Sequence, residues 1–200
     1  MGKRLGVKRL NALSKTGAKV TGSLGTGASG SVGHRKIIKS GNEVTTEIYV
    51  DLGSSKGAFY SAHGDANIAN GMILGHSSSA DGVQTAGKAH LTQVNQKENG
   101  IVTLIEMTCV ETPTGGDTDI NLVTAATEQA YSGSTSLTVV LDAGAAVIGG
   151  EGAAALDDNS LDAQYLYLAY GGSRDGGDAA EYTAGKFLIR LYGHVAPDDV

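Results

Sequence analysis

The decapeptide EVTTEIYVDL, residues 43–52, decides the predicted fold class. Two sets of side chains alternate along it: Val44, Thr46, Ile48, Val50 and Leu52 in one set, and Glu43, Thr45, Glu47, Tyr49 and Asp51 in the other. A period of two with many β-branched residues is typical of a β-strand that buries one face. The segment therefore predicts a strand that packs on a core through the first set.

Comparable segments recur through the rest of the chain. Further strands are expected at 71–75, 88–95, 101–111, 119–123, 135–141, 163–170 and 186–195. The last of them repeats the alternation, with Phe187, Ile189, Leu191 and Val195 inward and Lys186, Arg190 and His194 outward. Two dipeptides, Asn70-Gly71 and Asn99-Gly100, are typical of type I′ hairpin turns, because both central residues of such a turn need positive φ.

Short strands and glycine-rich connections predict an all-β fold, an antiparallel β-sandwich or jelly roll with an extended N-terminal arm. A parallel α/β sheet would need crossover helices, and the intervals between these strands are too short and too rich in glycine. The expected organisation is a basic, Gly/Ser-rich arm over residues 1–40 and a β-sandwich domain over residues 41–200.

Composition narrows the functional classes. The chain has 30 glycines but only two prolines, so it is neither collagen-like nor proline-rich. A single cysteine, Cys109, excludes an intrachain disulfide and a zinc cluster built on thiolates. Charges interrupt the apolar positions of residues 1–19, and no run approaches the roughly 18 apolar residues of a membrane span. The expectation is a soluble chain made in a cytoplasm, with no membrane partner.

Charge divides the chain near residue 40. The first 39 residues contain nine basic residues and no acidic one, whereas all 21 acidic residues follow. Every aromatic residue lies at Tyr49 or beyond, so the arm has no ring with which to stack on a base. A basic arm on an acidic body usually binds something, and its partner is the functional question.

The arm allows three interpretations. It could contact nucleic-acid phosphates, which need little but positive charge, although the acidic body would repel a polyanion. It could be a solvated tail. It could also become ordered along a negatively charged protein surface. Aliphatic residues interleaved with the charges favour the protein surface: Leu5, Val7, Leu10, Leu13, Val20 and Leu24.

Catalytic or nucleotide-binding motifs are weak. Residues 82–88, GVQTAGK, match seven positions of a phosphate-binding P-loop, but Ala89 stands where the magnesium-binding hydroxyl is needed, and a strand is expected to follow. A surface hairpin loop is the preferred interpretation. His63 lies near Asp65 in a glycine-rich loop, where a solvated side chain is the simpler expectation.

The single cysteine and the aspartate-rich loops also give only weak indications of a functional site. Cys109 lies in an apolar strand and is expected to be a small core or interface residue. Acid-rich loops could bind a hard cation such as calcium. Turn-forming and helix-capping roles of their aspartates are the simpler interpretation. The first loop contains Asp117 and Asp119, the second contains Asp157, Asp158 and Asp162, and the third contains Asp175 and Asp178. The sequence thus predicts no catalytic residue, no metal site and no cofactor.

Several segments together resemble structural proteins of tailed phages, notably cyanophages and other marine phages. They are MGKRLGVKRLNALSKTG (1–17), SGSVGHRKI (29–37), IYVDLG (48–53), CVETPTGGDTDINL (109–122), LDDN (156–159), QYLYLAYGG (164–172) and YTAGKFLIRLYGHVAPDD (182–199). These segments run through most of the chain. Small all-β proteins with an extended arm resemble the decoration, or cement, proteins that bind the outside of a capsid, often as trimers.

This resemblance implies a non-enzymatic virion protein, assembled in the host cytoplasm, that binds the major capsid protein and is itself a homotrimer. The residues expected to bind the capsid are Lys3, Arg4, Leu5, Lys8, Arg9, Leu10, Leu13, Lys15, Lys19, Arg35, Lys36 and Lys39. Two alternatives stay open. One is a tail or head fibre protein that binds host glycans through Tyr165, Tyr167, Tyr170 or Tyr182, and the other is an internal DNA-binding virion protein.

Overall fold

Strands make up most of the structure, a computed structural model that describes residues 18–20, 33–53, 59–60, 73–76, 89–129, 136–142, 144, 146–157, 160–171 and 181–195. In chain order the strands are β1 (Ala18–Val20), β2 (Gly33–Ser40), β3 (Glu43–Asp51), β4 (Phe59–Tyr60), β5 (Gly75–His76), β6 (Thr92–Gln93), β7 (Ile101–Thr114), β8 (Ile120–Ala125), β9 (Thr138–Leu141), β10 (Glu151–Ala155), β11 (Tyr165–Tyr170) and β12 (Ala184–His194). A single turn of helix, α1 (Gln96–Asn99), lies between β6 and β7.

The strands form two main antiparallel sheets. The larger has the order β1-β2-β3-β12-β7-β10, and the smaller has the order β6-β11-β8-β9, while β4 and β5 pair separately. Apolar residues of both sheets belong to one buried cluster that includes Ile48, Ile105, Leu122 and Leu168. The predicted all-β fold, an antiparallel β-sandwich, is confirmed.

The alternation of β3 sets the orientation of the larger sheet. Its side chains alternate between buried and half-buried along the whole strand, and Ile48 is completely buried. β12 lies beside β3 in antiparallel register, with Ile189 opposite Ile48 and Arg190 opposite Glu47. Neighbouring positions of the two strands therefore alternate between the core and the solvent-facing side, as expected from the period of two.

The two central strands of the smaller sheet, β8 and β11, are buried on both faces. Every residue of β8 is buried, and β11 is buried from Leu166 onward. Leu122 packs in the cluster between the sheets, whereas Val123 and Tyr167 pack in a second cluster with Ile73 on the other face. This double burial explains why β8 and β11 show no clean alternation in sequence.

β2 differs from the expected arm. It pairs with β3 along its whole length, from Gly33 opposite Val50 to Ser40 opposite Glu43. Gly41 begins the two-residue connection with a φ of +61°, which fits a type II′ hairpin. Residues 33–40 are therefore a strand of the larger sheet, and the charge division near residue 40 falls at a hairpin turn inside the body.

Asn99-Gly100 does not form the expected hairpin turn. Asn99 ends α1, and Gly100 follows as its C-cap with a φ of +71°. The helix begins at Asn95, whose side chain accepts a hydrogen bond from the Lys97 amide at 2.9 Å. The buried Asn99 side chain also donates to Thr46 Oγ1 at 2.8 Å. Gly100 thus has the positive φ that a type I′ turn requires, but this conformation ends a helix and does not form a hairpin.

The other strand expectations vary in accuracy. Segments 101–111, 119–123, 163–170 and 186–195 overlap the long strands β7, β8, β11 and β12. In the expected strands 71–75, 88–95 and 135–141, the described residues contribute only to the short β5, β6 and β9. Four strands, β1, β2, β4 and β10, lie outside the expected segments. Asn70-Gly71 lies outside the described residues.

Candidate functional site

The residues predicted to bind a capsid divide into three groups. Eight lie outside the described residues: Lys3, Arg4, Leu5, Lys8, Arg9, Leu10, Leu13 and Lys15. Lys19 lies in β1, whose backbone pairs with β2 so that Lys19 stands opposite Ile37. Arg35, Lys36 and Lys39 lie on β2. β1, which contains Lys19, is thus the edge strand of the larger sheet, and β2 lies next to it.

Arg35 faces the interior of the sandwich. Its Nη1 donates to Thr92 Oγ1 of β6 at 2.6 Å, and its Nη2 lies 3.3 Å from Glu98 Oε2. The side chain is only 17% exposed, and its Nε is buried without a hydrogen-bond partner. Arg35 therefore makes one hydrogen bond across to the smaller sheet and one to α1, and little of its surface is left for an external partner.

Lys36 points to the opposite, solvent-facing side. Its Nζ lies 3.5 Å from Glu47 Oε2, and Arg190 Nε lies 3.4 Å from Oε1 of the same carboxylate. Glu106 is next in this row across the sheet, because it pairs with Arg190 and accepts a hydrogen bond from Tyr192 at 2.7 Å. Alternating charges thus cross four strands, and ion pairs on a solvent-facing side of a sheet stabilise a fold only weakly.

A third ion pair lies further along the same face. Lys186 of β12 lies 2.5 Å from Glu111 of β7. The hydrogen bond from Lys186 lowers the pKa of Glu111, and the same hydrogen bond raises the pKa of Lys186. Cations and anions are therefore locally matched on this face, whereas the sequence of residues 1–19 contains six basic residues and no acidic one.

Lys39 stands at the mouth of a shallow opening beside α1. Its Nζ lies 3.3 Å from the backbone oxygen of Lys97. An opening of about 200 Å³ is lined by Lys39, Val44, Gln96, Lys97, Gly100 and Val195. Two exposed lysines meet there, so this end of β2 keeps positive charge available to a partner.

Cys109 is a buried free thiol, as its sequence context suggested. Its Sγ donates a weak hydrogen bond to the backbone oxygen of Glu111 at 3.3 Å. Burial raises the pKa of this thiol, which keeps it protonated and a poor nucleophile near neutral pH. The P-loop-like segment 82–88 and His63 lie outside the described residues.

The tyrosines considered for glycan binding are mostly enclosed. Tyr167 is completely buried, and Tyr170 and Tyr182 are 6% and 1% exposed. Tyr165 is half-buried and lies edge-on to His90, with ring centroids 5.2 Å apart. Glycan platforms need open ring faces, so Tyr167, Tyr170 and Tyr182 do not provide one.

Within the ranges described above, no three His, Cys, Asp or Glu side chains are grouped closely enough to hold a metal ion. The same ranges contain no helix that is long and apolar enough to cross a membrane. Comparison with protein families, curated proteins and solved structures finds no match for this chain.

Proposed function

We propose that this protein is a non-enzymatic structural protein of a tailed-phage virion, a decoration or cement protein that binds the major capsid protein through its basic N-terminal segment. The resemblance of the quoted sequence segments to phage structural proteins supports the phage assignment. The single observation that supports attachment through the N-terminal segment is the complete separation of charge along the chain: nine basic and no acidic residues before residue 40.

The placement of β2 refines the attachment segment. Arg35 is committed to Thr92 and Glu98, and Lys36 lies beside Glu47. The six basic residues before β2 have no acidic neighbour in sequence, and they are Lys3, Arg4, Lys8, Arg9, Lys15 and Lys19. The attachment segment is therefore assigned to residues 1–19, with Lys39 and Lys97 as a secondary basic contact on the body.

An acidic body with a basic segment suits a protein partner better than nucleic acid. The residues after position 39 contain 21 acidic residues, which would be repelled by a polyanion. Aliphatic residues such as Leu5, Leu10 and Leu13 add apolar area that a phosphate backbone would not use. In a homotrimer, three such segments would bind one lattice, and their effective concentration would strengthen attachment without any new contact.

Cosedimentation with purified capsids tests the proposal. A variant lacking residues 2–15 keeps β1, β2 and the whole described body. It should stay folded, keep its oligomeric state in sedimentation analysis and lose capsid binding. Full-length protein should raise the thermal stability of the capsid, because it binds the assembled state, whereas the shortened protein should not.

Two full-length variants separate charge from apolar contact. In one, Lys3, Arg4, Lys8 and Arg9 become glutamine; in the other, Leu5, Leu10 and Leu13 become serine. Weaker binding by both variants agrees with a protein surface that has grooves and negative charge. Undiminished capsid binding by the shortened protein would refute the attachment role. Tight binding of full-length protein to random duplex DNA, falling steeply with salt, would favour an internal DNA-binding role instead.

A further inference from the structure

Two oxygen-bearing side chains converge at one end of the smaller sheet. Asp119 directly precedes β8, and Asn121 is its second residue. Both point away from the core between the sheets, because Ile120 and Leu122, which alternate with them, pack in that core. The two side chains are therefore neighbours on the outer face of this sheet.

Gly171 allows these side chains to come together. Its amide donates to the backbone oxygen of Asp119 at 2.9 Å, which extends the pairing of β8 with β11. A Cβ at Gly171 would stand 2.8 Å from the carboxyl carbon of Asp119 and 2.9 Å from Cγ of Asn121. Both side chains thus occupy the space above a glycine, where any larger residue would displace them.

Neither converging group has its hydrogen bonds satisfied. Asn121 is 3% exposed, and its Oδ1 is buried without a partner. Asp119 Oδ1 is also buried and has no partner. A buried oxygen that lacks a donor destabilises the fold, and a buried carboxylate without one does so more strongly. The neighbouring oxygens Asp119 Oδ1 and Asn121 Oδ1 could both donate lone pairs to a bound cation.

The surroundings add negative charge. Asp117 accepts a hydrogen bond from the Asp119 amide at 2.8 Å. Leu141 of β9 stands opposite Leu122, so Asp142 follows on the same outer face as Asn121. Burial, and then the charges of Asp142 and Asp117, raise the pKa of Asp119. Asp119 takes part in none of the ion pairs among the described residues.

We propose that Asp119 and Asn121 bind a hard divalent cation at the Gly171 end of the smaller sheet. Carboxylate and amide oxygens are ligands that Ca²⁺ and Mg²⁺ prefer. Asp117 and Asp142 surround the cation with negative charge, and water completes its coordination. This inference is independent of the proposed capsid attachment, because the site uses none of residues 1–19.

The number of protein ligands limits the expected affinity. The acidic side chains alone do not form a three-ligand metal site. One carboxylate with one amide oxygen should therefore bind Ca²⁺ weakly, with a dissociation constant of about 10⁻⁴–10⁻³ M, the range of extracellular calcium modules. Such a site would be filled in a calcium-rich medium and largely free of Ca²⁺ in a cytoplasm.

Thermal unfolding of chelator-treated full-length protein tests the site. Millimolar CaCl₂ or MgCl₂ should raise the midpoint by about 2–4 °C over NaCl of equal ionic strength, because only the folded state holds the cation. Asp119→Asn keeps the shape of the side chain but removes its charge, and should abolish this rise. Tyrosine-sensitised Tb³⁺ luminescence, competed by Ca²⁺, should report direct binding, since Tyr182 Oη lies 2.8 Å from the Asp117 backbone oxygen.

Two further variants make the outcome decisive. Asp142→Asn changes an exposed residue and retains the Oδ1 that accepts from Gly144, so it should fold normally and weaken cation binding about tenfold. Asp157→Asn removes an exposed carboxylate outside the cluster and should respond to Ca²⁺ as wild type does. The proposal is overturned if neither divalent cation exceeds the NaCl control, or if Asp119→Asn and Asp142→Asn both respond like wild type.

Discussion

Arg35 of β2 and Thr92 of β6 join the two sheets of the sandwich through a hydrogen bond of 2.6 Å from Nη1 to Oγ1. The same guanidinium lies 3.3 Å from Glu98, just beyond the start of α1. Arg35 belongs to the basic first 39 residues of the sequence, yet its side chain makes structural contacts inside the body. Arg35 therefore stabilises the body, and the proposed attachment to a partner does not depend on it.

Replacing Arg35 should destabilise the body without changing its fold. Arg35→Leu removes a charged donor and leaves Thr92 without this partner, so we expect the free energy of unfolding to fall by about 1–3 kcal/mol. Urea denaturation followed by circular dichroism measures the change. Lys36→Leu is the matched control, because its contact with Glu47 on the solvent-facing side of the sheet should contribute less than about 1 kcal/mol. Equal losses for the two variants would contradict the structural role of Arg35.

Gly100 should tolerate a side chain less well than Gly149, another glycine with positive φ. Its φ is +71°, and a Cβ there would stand 2.5 Å from the backbone oxygen of His194. Gly149 has a φ of +79° but has nothing within 4 Å of the same position. Gly149→Ala should therefore cost only the backbone strain, about 1 kcal/mol, and Gly100→Ala clearly more. Thermal unfolding of the two variants compares them directly, and similar midpoints would show that β12 moves away at little cost.

Tyr167 should make stability fall in alkaline solution. Burial raises the pKa of Tyr167 to about 12, whereas an unfolded tyrosine ionises near pH 10. Between these values the folded state holds more protons than the unfolded state, so stability decreases as pH rises from about 10 to 12 and is unaffected by this group below that window. Tyr167→Phe cannot ionise, and its free energy of unfolding should decline less over the same window.

The difference between wild type and Tyr167→Phe isolates this residue from the other tyrosines. The variant should also be less stable at neutral pH, because the hydroxyl of Tyr167 accepts from the Gln129 amide at 2.8 Å. Denaturant titrations at several alkaline pH values measure both effects. Parallel pH curves for the two proteins would contradict the raised pKa.

The sequence predicted the strands that combine alternation with β-branched or large apolar residues. β3 and β12 follow this pattern, and each buries the predicted face. β10 escaped prediction because Glu151–Ala155 reads EGAAA, without a β-branched side chain. It forms because β7 offers a paired edge, and because Gly152 leaves room for Leu141 above it. Tertiary contacts therefore make β10 a strand, and the local sequence alone does not predict it.

The candidate sites were predictable only in part. Counting charges identified the basic segment, but the count does not tell which way a side chain faces, and Arg35 and Lys36 lie on opposite faces of β2. For the cation site, Asp117 and Asp119 were recognised as an acidic pair. Asn121 and Asp142 join them only through the register of β8 with β9, which one sequence does not reveal.

The position of β12 determines when the body can form during synthesis. This strand is the last along the described chain, yet it lies between β3 and β7 and pairs with both along most of its length. A nascent chain therefore carries two long unpaired strand edges until residues 184–194 have emerged from the ribosome. Such edges are prone to pair with other chains. Delayed or interrupted translation should therefore make this protein more prone to aggregation than a protein whose strands pair in the order in which they are synthesised.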